Sequence, residues 1–167
     1  MNAFVLSKPS VRLSPDDERD VLDRKASSDA ARDATRQANQ WHEDQAARLR
    51  ETLLTDFDAY SYDDLMGAFG ATVAERLFRA WSQQRLITVA VGNTGRFPGF
   101  QLRGPEIVPG IAESVEALAA SGLHGWPAAL WFTASNGWLA DRRPVDVLQL
   151  DPASVADAAR RRLEPAD

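Results

Sequence analysis

Hydrophobic positions are unevenly spread along this chain. Between Ser14 and Arg50 the only large apolar residues are Val21, Leu22, Trp41 and Leu49, set among polar residues and alanines. Leu22, Ala26, Ala30, Ala34, Ala38, Trp41, Leu49 and Leu53 still form a thin seam at roughly helical spacing. Alanine favours helix but buries little area. Ser14 suits an N-cap, Pro15 the first helical position, and Asp16, Asp17 and Glu18 the positive helix end. Residues 1–54 therefore predict a polar, alanine-rich arm, either a helix docked on a partner or partly disordered.

The pattern changes at residue 55. Ser61 and Asp64 have capping-box spacing, and Tyr62, Leu65, Met66 and Phe69 give one apolar face before Gly70. Thr72 and Glu75 repeat the capping-box spacing, and Val73, Leu77 and Trp81 follow at i, i+4 and i+8. Two helices around Gly70-Ala71-Thr72 predict a helix-turn-helix, or a plain helical hairpin. The β-branched run Leu86–Val91, the turn cluster Gly92-Asn93-Thr94-Gly95 and the return Phe97–Leu102 predict a hairpin with Pro98 on an edge. A hairpin directly after a helix-turn-helix is the layout of a winged helix, so residues 55–103 are expected to form such a domain.

Residues 107–163 read as helical again, within a C-terminal domain expected over residues 104–167. Ile111, Val115 and Leu118 share a face that ends at Gly122. Pro127 starts a short helix through Phe132, Ser135-Asn136-Gly137 turns, and Pro144 opens Val145–Leu150. Asp151 caps a last helix with Pro152 at its first position. The predicted fold class is mainly α: a helical arm, a helix-turn-helix with a β-hairpin wing, and a small C-terminal helical domain.

Composition narrows the class. Of 167 residues, 44% are hydrophobic and 26% charged, which suits a globular protein. There is no cysteine, so disulfides, thiol catalysis and cysteine-ligated metals are excluded. No apolar run approaches membrane-spanning length, and Ala3–Leu6 is too short for a signal peptide, so a cytoplasmic protein is expected. The formal charge is −5, which does not describe a generally basic nucleic-acid binder. Residues 61–103 nevertheless carry Arg76, Arg79, Arg85, Arg96 and Arg103 against Asp63, Asp64 and Glu75, a mild local excess of positive charge.

Catalytic chemistry finds little to work with. His42 and His124 are the only histidines, and neither has a second histidine at metal-binding spacing. No serine sits in a nucleophile elbow, and Gly92–Gly95 lacks the following helix of a phosphate loop. No enzyme activity, cofactor or metal is expected. Arg76, Arg79 and Gln83 share a face of the second helix and, with Thr72 at its start, are candidates for contacting DNA; the alternative is a solvated polar face. Trp126, Trp131 and Trp138 crowd thirteen residues, with Arg142-Arg143 just beyond. Tryptophan and arginine are common interface anchors. Trp131 reads as core from its apolar helix, and Trp138 as surface from the turn before it.

The segment Trp126-Pro127-Ala128-Ala129-Leu130-Trp131-Phe132-Thr133-Ala134-Ser135-Asn136-Gly137-Trp138-Leu139-Ala140-Asp141-Arg142-Arg143-Pro144-Val145-Asp146-Val147-Leu148 resembles the toxin-binding domain of Xre/MbcA/ParS-type antitoxins. That family shows a tryptophan-containing helix, an asparagine turn, a leucine, a short polar stretch, a proline, then an apolar helix. The resemblance covers roughly residues 105–160. It implies the antitoxin of a type II toxin–antitoxin pair that binds and neutralises a RES-domain, NAD-depleting toxin and represses its own operon. It also implies a homo-oligomer within the toxin–antitoxin complex and operator DNA as a further partner. Asn136, Trp138, Leu139, Arg142 and Arg143 are the expected toxin-binding residues. The competing expectation is a stand-alone helix-turn-helix regulator whose C-terminal domain only dimerises.

Overall fold

The computed structural model describes residues 15–163. Ser14, the expected cap, and the Ala3–Leu6 run lie outside them. The chain divides into two compact units, one ending at Ala46 and one starting at Ala47. Helix α1 (Pro15–Phe57) runs through this division. In the first unit its described side chains up to Gln45 are all exposed, including Trp41 at 58%. Short ion pairs Asp29–Arg32 and Asp33–Arg36 line its surface. The sparse apolar seam is the cause: alanines at helical spacing favour the helix without supplying area to bury.

The second unit starts inside α1. Leu53, 1% exposed, is the first residue of α1 in the core. The chain then forms β1 (Ala59–Tyr60), α2 (Tyr62–Phe69) and α3 (Ala71–Ser82). Next come β2 (Val89–Val91) and β3 (Thr94–Pro98). A three-residue 3₁₀ turn (Gly99–Gln101) leads into the small hairpin β4 (Leu102–Arg103) and β5 (Glu106–Ile107). Four helices complete the unit: α4 (Ile111–Ala120), α5 (Gly125–Thr133), α6 (Pro144–Val147) and α7 (Pro152–Arg160). The fold is thus mainly helical with small antiparallel sheets. Leu53, Leu65, Leu77, Phe97, Phe100, Ile111, Leu118, Phe132 and Val155 belong to one hydrophobic core. The division expected between residues 103 and 104 therefore separates two parts of one compact unit.

Local chemistry sets these elements. Ser61 caps α2 as a full capping box: its hydroxyl accepts from the Asp64 N–H and the Asp64 carboxylate accepts from the Ser61 N–H. Gly70, at φ 83°, ends α2 and begins α3 on a single residue. The three-residue turn expected at Gly70–Thr72 is thus shorter, and Thr72 is the second residue of α3 rather than its cap. A left-handed glycine can reverse the chain so abruptly because no Cβ opposes it.

The sheet has the order β1-β3-β2, with Tyr60 opposite Phe97 and Val91 opposite Thr94. Thr94 and Gly95, expected in the turn, are paired strand residues. Pro98 ends the central strand rather than an edge strand, and it is buried. The Gly99 N–H donates to the Asp58 carbonyl across the Ala59–Pro98 pair. That makes the pair non-hydrogen-bonded, so the proline nitrogen faces away from β1. On that side β2 has already stopped, opposite Arg96. The strand is locally an edge there, and the missing N–H costs no ladder bond.

The C-terminal helices hold one close crossing. Gly110, at φ 83°, precedes α4 and lies against the start of α7; a Cβ there would stand 2.7 Å from the Pro152 Cβ and 2.8 Å from its carbonyl oxygen. Asp151 caps α7 by accepting from the Ser154 N–H.

Candidate functional site

The turn between α5 and α6 is built by Asn136. Its side-chain oxygen accepts from the Trp138 N–H, and its backbone N–H donates to the Arg142 carbonyl. A 3₁₀ turn (Gly137–Leu139) follows, then two left-handed residues, Ala140 and Asp141. Leu139 is 5% exposed and anchors the turn in the core. Trp138 emerges on the other side, 63% exposed. The Arg161 guanidinium sits 4.6 Å from the Trp138 ring centroid, a cation–π contact that restrains the indole. The two neighbouring tryptophans behave differently. Trp131 is 9% exposed, and Trp126 donates its indole N–H to the Ala90 carbonyl with the Arg50 guanidinium near its face.

The five expected toxin-binding residues are thus together on one short segment, but they do different things. Trp138 is presented outward. Asn136 and Leu139 hold the turn from within. Arg142 is exposed; its Nε approaches the Leu139 carbonyl at 3.4 Å. It also helps Ser154 hold the Asp151 carboxyl below its usual range. Arg143 is bound bidentately to Asp146 at 2.7 and 2.8 Å, which holds the Asp146 carboxyl low. It is therefore a brace at the start of α6, where Asp146 lies in the first turn. Arg161, across the indole, stands between Arg160 and Arg162 with nothing local to distinguish it; only the fold brings it to Trp138.

The α2–α3 face is the second candidate. Arg76 donates to both Glu106 carboxylate oxygens, at 3.0 and 3.1 Å, and to the Pro105 carbonyl. It fastens α3 to the β4–β5 hairpin and holds the Glu106 carboxyl low. Arg85 pairs with Glu116 at 3.3 Å, and Arg96 donates to the Ala59 carbonyl with Asp64 3.8 Å away. Three of the five arginines between residues 61 and 103 are therefore matched by carboxylates, two of them from beyond that stretch. Arg79 and Gln83 are exposed and Thr72 is solvent-facing. The outward face of α3 also carries Glu75 and Phe78, the latter 47% exposed. Phe78 lies off the Val73–Leu77–Trp81 row, and that displacement was the sequence signal for an outward aromatic.

Around Phe78 the rings of Tyr62 and Trp81 stand at centroid distances of 5.9 and 5.0 Å. Tyr62, Glu75, Phe78, Arg79 and Ser82 line a shallow hollow of about 500 Å³. Among the described residues no group of three or more His, Asp or Glu side chains is placed to hold a metal ion, and no helix is long and apolar enough to cross a membrane. Comparison with known protein families, with characterised proteins and with solved structures finds no match to this chain.

Proposed function

We propose that this chain is the antitoxin of a type II pair and neutralises a RES-domain, NAD-depleting toxin through the segment around Trp138. One observation carries the reading. A tryptophan on a turn braced by Asn136 and Leu139, restrained by Arg161 and left 63% in water, is an anchor already set for a partner. The ordered resemblance of residues 126–148 to the toxin-binding domain of that family supplies the partner's identity. Arg161 over the indole gives the anchor a charged rim.

Autorepression through residues 55–103 is the second part of the proposal. The order α1–β1–α2–α3–β2–β3 with sheet order β1-β3-β2 supports a winged-helix reading, with β2–β3 as the wing. It equally favours the stand-alone regulator. With Arg76 held by Glu106 and Glu75 on the outward face, the expected DNA-contacting residues still open to phosphate are Arg79 on α3 and Gln83, which is the C-cap past the end of that helix rather than part of its face.

The deciding experiment is co-expression with a RES-domain toxin encoded beside this chain, scored by growth and by cellular NAD. Neutralisation by the parent and its loss in Trp138→Ala/Arg142→Ala, with the complex lost on co-purification, is the expected result. A chain that never co-purifies with such a toxin, yet binds its own promoter, is the regulator instead.

A further inference from the structure

We propose that the α2–α3 face is a self-association surface, on which a second copy of this chain packs its α3 antiparallel about a two-fold axis beside Phe78. The patch is aromatic at its centre: Phe78 touches both Tyr62 and Trp81, and Tyr62, Phe78 and Trp81 remain 36%, 47% and 37% exposed. An apolar cluster of this kind in water marks an interface. Its charged rim selects the occupant. Glu75 and Arg79 stand one helical turn apart on either side of Leu77, and neither makes an ion pair among the described residues. A two-fold crossing between them sets Glu75 of each copy against Arg79 of the other and brings the two Phe78 rings together. An isologous contact needs such self-complementarity.

On this proposal Arg79 serves the dimer instead of phosphate, because the same face suits a nucleic acid less well. Glu75 at its middle would stand against phosphate charge, and an exposed phenylalanine has little to offer a duplex backbone. Size sets the strength. At about 200 Å² per aromatic side chain, the exposed shares of the three rings come to roughly 250 Å² per copy. A standard interface takes about 800 Å² per partner. The aromatics therefore make the apolar centre and the polar rim most of the rest, which describes a dimer that responds to concentration.

The test is sedimentation equilibrium of the full chain from about 1 to 100 µM, a range that brackets micromolar dissociation constants. The parent, Glu75→Arg, Arg79→Glu and the double variant Glu75→Arg/Arg79→Glu are compared, with circular dichroism to check folding. The parent is expected to dimerise. Each single reversal opposes like charges twice in the dimer and is expected to weaken it about tenfold or more. The double variant restores opposite charges and is expected to recover the parent's association to within about threefold. Phe78→Ser is expected to abolish the dimer. A monomeric parent, a double variant as weak as the singles, or a dimer indifferent to all four changes overturns the proposal. The last outcome would move association to another surface, such as the α1 arm with its exposed Trp41.

Discussion

The side-chain amide of Gln101 stands opposite Ile87 as a peptide unit would. Its oxygen accepts from the Ile87 N–H at 2.7 Å and its nitrogen donates to the Ile87 carbonyl at 2.9 Å. The β2–β3 pairing ends at Val89 and Arg96, and two residues further on Ile87 comes level with Pro98, which has no N–H to give. Gln101 thus continues the β2–β3 ladder past its proline, and it is fully buried. Its nitrogen also donates to the Pro98 carbonyl.

Replacing that amide leaves buried backbone groups without partners. Gln101→Leu is expected to destabilise the protein by about 3 kcal/mol, since the Ile87 N–H and the Ile87 and Pro98 carbonyls all lose a hydrogen bond. Gln101→Glu keeps the shape and one acceptor but buries a charge. It should be as damaging at pH 8 and partly relieved at pH 5, where the carboxyl can be protonated and donate. Urea denaturation at the two pH values measures both.

Trp138 is a surface anchor in the proposed complex and contributes little to the fold. Trp138→Ala is expected to change stability by less than about 0.5 kcal/mol, as exposed substitutions do. It should cost the toxin complex more than about 2 kcal/mol, over thirtyfold in affinity. Arg161→Ala should give an intermediate loss, because the indole remains but its restraint is gone. Thermal melting paired with toxin titration separates the effects. A Trp138→Ala protein with parental affinity would place the interface elsewhere.

The boundary of the stable unit lies inside α1. A chain beginning at Ala47 keeps Leu53, Leu54 and Phe57 and is expected to melt as a folded unit. A chain beginning at residue 55 lacks Leu53, a fully buried side chain. Losing a buried leucine costs about 2–5 kcal/mol, a large share of a domain's stability. Equal melting of the two truncations would show that Leu53 is dispensable.

Acid should weaken the second unit. Hydrogen bonds from the Ser61 main chain and hydroxyl hold the Asp64 carboxyl low. Ser154 does the same for Asp151, Arg76 for Glu106 and Arg143 for Asp146. Each carboxyl has a lower pKa folded than unfolded. Its contribution is fully present above the unfolded value near 4 and is lost as the pH falls through the lower folded value. The urea midpoint should therefore decline between about pH 5 and pH 3. Asp64→Asn with Asp151→Asn should flatten that decline, and an unchanged slope would contradict the assignment.

How much was legible beforehand follows from the range of each interaction. The capping box at Ser61 and Asp64, the caps at Asp151 and Pro152, and the burial of Trp131 against the exposure of Trp138 are written within a few residues. Each forms as the spacing suggests. The Thr72–Glu75 spacing has the same form, but Gly70 begins α3, so Thr72 falls two residues inside the cap position. The local positive charge of residues 61–103 dissolved for a related reason: Glu106 and Glu116 fold back onto Arg76 and Arg85 from outside that stretch. Gln101 was invisible because its value depends on Ile87, fourteen residues away, and on the proline that ends β3. Leu139 was read as a contact residue, whereas the turn directs it inward.

The contact between Gly110 and Pro152 carries a consequence for ancestry. The missing Cβ would meet the backbone of residue 152 as well as its ring, so no exchange at position 152 can make room for a side chain at 110. Among descendants of a common ancestor that keep the crossing of α4 and α7, position 110 should therefore be fixed as glycine while position 152 drifts. That asymmetry gives a single-column marker for recognising distant kin of this chain. A homologous sequence with a bulky residue there has lost the crossing, whatever else it retains.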